Sequence, residues 1–109
     1  MTLSTHVLDV EAGRPVAGLA VAAELRDEDG GLRSVGAAAT DADGRVAELV
    51  AAEHWAPGRW RVVFATADHH GPVAFYPSVT VEISVPPTAA HLHVPLLLSR
   101  HGYTTYRGS

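Results

Sequence analysis

Seven histidines in 109 residues, and no cysteine, make imidazole the chain's main acid–base group near neutral pH. All eight cations are arginine, and lysine, asparagine and glutamine are absent. No thiolate nucleophile, disulfide or zinc–sulfur centre is available, and no lysine can form a Schiff base. Polar recognition must therefore come from Arg, His, Tyr, Ser, Thr, carboxylates or the backbone. His91 and His93 stand two apart in an apolar run, so a strand would project both imidazoles from one face. Three readings of the pair are open: solvated surface histidines, two ligands of a zinc site completed elsewhere, or an acid–base pair. His6 falls inside a strand-like segment, and Arg45 follows an Asp-Gly turn where it would ordinarily pair with a nearby aspartate. His54, His69, His70 and His101 fall in loops or turns and read as surface residues, with His69-His70 a candidate pocket rim.

The elements that must hold these groups are strands. Val79, Val81, Ile83 and Val85 alternate with Ser78, Thr80, Glu82 and Ser84, the period-2 pattern of a half-buried strand. In His91–Ser99 the face opposite the histidines is Leu92, Val94, Leu96 and Leu98, which must be core. Further strands are expected at Leu3–Val10, Leu19–Leu25, Ser34–Thr40, Trp60–Thr66 and Tyr103–Arg107, with Arg100-His101-Gly102 as a hairpin turn. Gly13-Arg14-Pro15 and Asp41-Ala42-Asp43-Gly44 read as turns. Val46–His54 has some helical character and equally suits a short strand followed by one helical turn. Seven or eight short antiparallel strands, with turns every ~8–12 residues, predict an all-β sandwich with at most one short helix. Such a sandwich exposes edge strands, and pairing them across a symmetric oligomer is one way to cover them.

A net charge of -4 with no basic stripe argues against nucleic acid. No apolar run is long enough for a membrane span. Met1–Val10 lacks the pattern of a secretory signal, so a cytoplasmic location is expected. Tyr103–Ser109 carries two tyrosines and an arginine, which is unusual where chain ends normally fray, and it looks built to pack at an interface or pocket.

Six segments together resemble the 5-hydroxyisourate hydrolases of the transthyretin-like family. They are L-S-T-H-V-L-D at 3–9, T-D-A-D-G-R at 40–45, P-G-R-W-R-V-V-F at 57–64, F-Y-P-S-V-T-V at 75–81, H-L-H-V-P-L-L-L-S at 91–99 and Y-T-T-Y-R-G-S at 103–109. The resemblance runs essentially end to end, so residues 1–109 read as one domain. The H-x-H strand and the Y-R-G-S ending distinguish the hydrolases from the hormone-carrying transthyretins. The resemblance implies a tetramer built from two dimers, with sites in clefts where the dimers meet. It implies catalytic roles for His6, Arg45 and His93. It adds substrate contacts from His6, Arg45, Tyr106, Arg107, Gly108 and Ser109, with His91 secondary. It implies no metal and no cofactor. The activity it implies is hydrolysis of 5-hydroxyisourate to 2-oxo-4-hydroxy-4-carboxy-5-ureidoimidazoline in urate degradation, by His-assisted attack of water. The family alternative is a non-catalytic carrier of small aromatic ligands, and a structural sandwich domain of a larger protein is a further one. Two departures stand out. Ala67–Ala74 is shorter than the family's usual stretch, which questions the short helix expected there, and Arg100-His101 replaces a more typical hairpin.

Overall fold

The computed structural model describes residues 2–109; Met1, where the domain reading begins, lies outside the described residues. Two sheets face each other. The first contains β1 (Leu3–Asp9), β2 (Arg14–Pro15), β5 (Arg45–Val46), β8 (Leu92–Leu98) and β9 (Tyr103–Thr105), ordered β2-β1-β8-β9 with β5 also on β1. The second is β4-β3-β6-β7, from β3 (Ala20–Arg26), β4 (Leu32–Ala39), β6 (Gly58–Phe64) and β7 (Val79–Val85). A 3-10 turn spans Ala52–His54, and a one-turn helix, α1, spans Ala67–His70. This is the all-β sandwich the alternation predicts.

The core forms where apolar faces of the two sheets meet. Leu3 and Val7 of β1 and Leu92, Val94 and Leu96 of β8 pack with Val21 and Ala23 of β3 and Trp60, Val62 and Phe64 of β6. Trp60 is fully buried, and its indole N–H donates to the Ala56 carbonyl at 2.9 Å, so its one polar atom is satisfied. In β7, Val79 and Val85 are buried while Val81 and Ile83 are only half-buried, because β7 is an edge strand.

Three local readings are revised. The strands are not all antiparallel: β1 and β8 run parallel, with Ser4 opposite His93 and His6 opposite Pro95. Arg14-Pro15, read as a turn, pairs with Asp9 and Leu8 as β2. The last strand stops at Thr105, and the tail beyond it meets β8 again through a bridge between Gly108 and His93. The 46–54 segment takes the strand-then-turn alternative, and the shortened 67–74 segment keeps one turn of helix.

Candidate active site

The turn at residues 41–45 builds one wall of the site. Asp41 Oδ1 accepts the backbone N–H groups of Asp43 and Arg45, each at 2.9 Å, and the Gly44 N–H donates to the Asp41 carbonyl at 2.9 Å. Gly44 has φ +76°, and a Cβ there would stand 2.5 Å from the Val7 carbonyl oxygen. Only glycine lets the turn press onto β1 this closely. The reward is register: Arg45 lies directly opposite His6. His6 Nε2 donates to the Asp43 carbonyl at 2.9 Å, which fixes the proton on Nε2 and leaves Nδ1 free.

The second wall is the outward face of β8. Ser4 shares the outward face of β1 with His6, two residues on. Its hydroxyl lies 2.7 Å from His93 Nδ1 and 2.9 Å from His91 Nε2. A single serine oxygen therefore joins both imidazoles of the H-x-H pair. When His93 Nδ1–H donates to Ser4, Ser4 donates to His91, and His93 Nε2 presents a lone pair to the cleft.

The chain's tail closes the third side. The Gly108 N–H donates to the His93 carbonyl at 2.8 Å. A Cβ on Gly108 would stand 2.4 Å from His93 Cδ2, so the missing side chain is what allows the tail to lie on the ring. Ser109 then reaches the cleft. That cleft, about 300 Å³, is lined by Ser4, Asp41, Arg45, His91, His93 and Ser109 among others.

Burial pushes the His93 imidazole below its ordinary range, and the nearby Arg45, His91 and His6 charges push it further. Hydrogen bonding at Ser4 acts in the opposite direction. The ring is thus held neutral near pH 7, the form that can accept a proton.

The structure brings together Arg45, His93 and Ser109, and it adds His91 and Ser4, the latter not singled out in the sequence. A serine two positions before His6 on the same strand face was the available signal. His6 flanks the cleft beside Arg45 without lining it. Tyr106 and Arg107 line a separate groove of about 310 Å³ with Val81, Ile83, Leu92 and Val94. Among the described residues, the imidazoles of His6, His91 and His93 do not form a tight three-ligand cluster of the kind that would hold a metal ion.

A model of the HIUase/Transthyretin family matches residues 3–108. The chain belongs to that family. Within the HIUase/Transthyretin family it is similar to a 5-hydroxyisourate hydrolase of Salmonella dublin, 41% identical over 110 residues, which cover 98% of this chain and 80% of that protein. Two solved structures show the breadth of the family. Sea bream transthyretin, in complex with thyroxine, superposes with a TM-score of 0.90 at 28% identity, covering 99% of this chain and 95% of that one. The Klebsiella pneumoniae 5-hydroxyisourate hydrolase superposes with a TM-score of 0.82 at 29% identity over the full length of both chains. A thyroxine-bound transthyretin and a hydrolase thus share this backbone, and the side chains of the cleft must discriminate between such functions.

Proposed function

We propose that this chain hydrolyses 5-hydroxyisourate, the activity named for its relatives, and that the cleft between β1, β5 and β8 is where it does so. The observation that carries the reading is the Ser4–His93–His91 relay opposite Arg45. A hormone carrier has no use for a neutral-poised imidazole facing a guanidinium.

The substrate is a planar bicycle rich in carbonyls and ring N–H groups. Opening its six-membered ring requires an activated water, an oxyanion partner and a proton for the departing nitrogen. In our reading His93 Nε2 takes a proton from water as the new C–O bond forms at the amide carbonyl. The Arg45 guanidinium, a rigid fork of donors, faces the charge that gathers on the carbonyl oxygen. The protonated His93 then returns the proton to the ring nitrogen as the C–N bond breaks, giving a ring-opened acid. Ser4 holds the His93 ring in orientation, and His91 completes the relay. His6 and the hydroxyl of Ser109 bind the substrate's rim. Tyr106, Arg107 and Gly108 act by seating the tail.

The expected assembly is a tetramer of two dimers with the cleft facing the dimer–dimer interface. Two features support it: the cleft lies on the outward face of its sheet, and both β7 and β9 end their sheets as edge strands. Among the described residues, no helix is long and apolar enough to cross a membrane.

The test is direct. 5-Hydroxyisourate is generated freshly from urate, and its decay is followed with and without the protein. The protein is expected to accelerate decay well above the spontaneous rate. His93→Ala and Arg45→Ala should each lower kcat/KM by at least ~100-fold, since proton transfer and oxyanion stabilisation are each commonly worth that much. No acceleration, together with saturable binding of an aromatic ligand such as thyroxine, would instead establish a carrier.

A further inference from the structure

A second cluster of titratable groups lies away from the cleft. Asp9 ends β1, and in the strand's alternation it shares the inward face with Leu3, Thr5 and Val7, whereas Ser4 and His6 share the outward face. The Asp9 carboxylate is therefore on the opposite face and at the opposite end of β1 from the proposed chemistry. Its side chain is 10% exposed. Oδ1 accepts the backbone N–H groups of Glu11 and Ala12, each at 2.9 Å, while Oδ2 pairs with His69 Nε2 at 2.7 Å. The bonds from His69 and Ala12 hold this carboxyl below the usual range, so it is ionised throughout the neutral region.

His70 follows His69 in α1, and the two rings lie 4.9 Å apart. The imidazole of His70 has no hydrogen-bond partner among the described residues. One carboxylate oxygen and one nitrogen from each ring lie within 4.8 Å of one another, and no other group of three potential ligands among the described residues is so close. The cluster opens on a cavity of about 690 Å³, rimmed by Glu11, Arg14, Phe75, Arg100 and His101.

Two imidazoles and one carboxylate form a borderline donor set that suits zinc, which takes three protein ligands and a water in a tetrahedron. Zinc bonds of ~2.0–2.1 Å place tetrahedral ligand atoms roughly 3.3 Å apart. The Asp9–His69 contact must open slightly to admit the ion, and the unbonded His70 ring is the member free to swing inward. We propose that Asp9, His69 and His70 form a zinc site that ties α1 to the end of β1, with the fourth position open to the cavity. The site is separate from the hydrolytic cleft and its role is structural: it fastens a segment that otherwise has a single turn of helix and no buried side chain of its own. Each imidazole offers a ring nitrogen lone pair to the ion, so binding displaces any proton held there.

The test uses His70, because its removal disturbs no hydrogen bond and touches nothing in the cleft. Zinc affinity and stoichiometry are measured by competition with a chromophoric chelator near pH 7.5 for the native protein, His70→Ala and His70→Cys. One equivalent is expected to bind the native protein and to raise its Tm. His70→Ala should bind that equivalent at least ~10-fold more weakly, since losing even a residue behind a ligand costs 10–100-fold, while hydrolytic turnover stays unchanged. His70→Cys should restore binding, and its cobalt complex should show a thiolate-to-metal charge-transfer band that the native complex lacks. The chain has no other cysteine, so the band reports this position alone. Zinc binding equal in native and His70→Ala protein would put the ion elsewhere, for example on the cleft histidines, and overturn the proposal. So would no binding at all, or a His70→Cys cobalt complex without the thiolate band.

Discussion

At the residue scale, the proposed chemistry turns on His93, and its protonation would give a pH signature. The unperturbed imidazole titrates near ~6.5, and burial followed by the Arg45 charge pulls His93 lower. The base form therefore persists below pH ~6.5, and kcat/KM should stay level from mildly alkaline pH down past that point before falling. Arg45→Ala removes one of the forces lowering the titration, so its acid limb should move to higher pH while the rate drops. A limb that stays put would mean that the guanidinium does not act on His93. Stability should follow the same group with a definite sign. Between the unfolded value near ~6.5 and the lower folded value, the unfolded chain binds the proton more readily, so the fold loses stability as pH falls through that window. Ser4→Ala leaves the imidazole present but unanchored. Its expected signature is a fall in kcat of roughly 10-fold, smaller than the ~100-fold or more that loss of the acid–base group itself would cost, with KM little changed. A rise in KM at constant kcat would make Ser4 a binding residue instead.

At the element scale, two glycines let backbone stand where a side chain could not, and they separate stability from catalysis. Gly44→Ala forces a Cβ toward the Val7 carbonyl in a left-handed turn, a strain of about 1–3 kcal/mol, and should lower Tm by several degrees along with activity. Gly108→Ala places its Cβ against His93 Cδ2 on an exposed tail. It should cost at least ~10-fold in kcat/KM by turning the ring or unseating Ser109, an orientation effect, while Tm stays near native. Parallel thermal melts and rate measurements distinguish the two outcomes; a Gly108 variant with native turnover would show that the tail's path is irrelevant to the site. The legibility of the sequence also divides at this scale. Strands such as Val79–Val85 and Leu92–Leu98 announce themselves by alternation, because one face is buried and the other is not. The parallel pairing of β1 with β8 leaves no local mark, since it joins residues far apart in the chain, and β2 and β5 are too short to have a period. The same pairing explains the incomplete reading of the site. His6, Arg45, His93 and the Gly108-Ser109 ending were legible as motifs. Ser4 was not, because its role depends on the register that sets it opposite His93. Asp9 and His69 looked like a strand end and a loop, and only the folded chain makes them a pair.

At the scale of the whole molecule, the proposed tetramer would complete a cleft that one chain leaves open to solvent. Of its lining residues, Arg45 and Ser109 are exposed, and His91 and His93 are only half-buried. A catalytic guanidinium gains most where water is excluded, because electrostatic stabilisation weakens in high dielectric. The sandwich also leaves two strands unpaired on one flank, β7 and β9, with an apolar groove between them lined by Val81, Ile83, Leu92 and Val94. Partner copies would address both features: edges pair to extend the sheets, and outward faces meet to close the clefts. On this argument activity depends on assembly. Light scattering at micromolar concentration should give a mass near four chains, and specific activity should decline on dilution at the concentration where that mass falls. The two curves must coincide, since each active cleft would be lost with its neighbour. Full turnover by a dispersed single chain would mean that Arg45 and His93 work in open water, and the placement of the cleft between subunits would have to be abandoned.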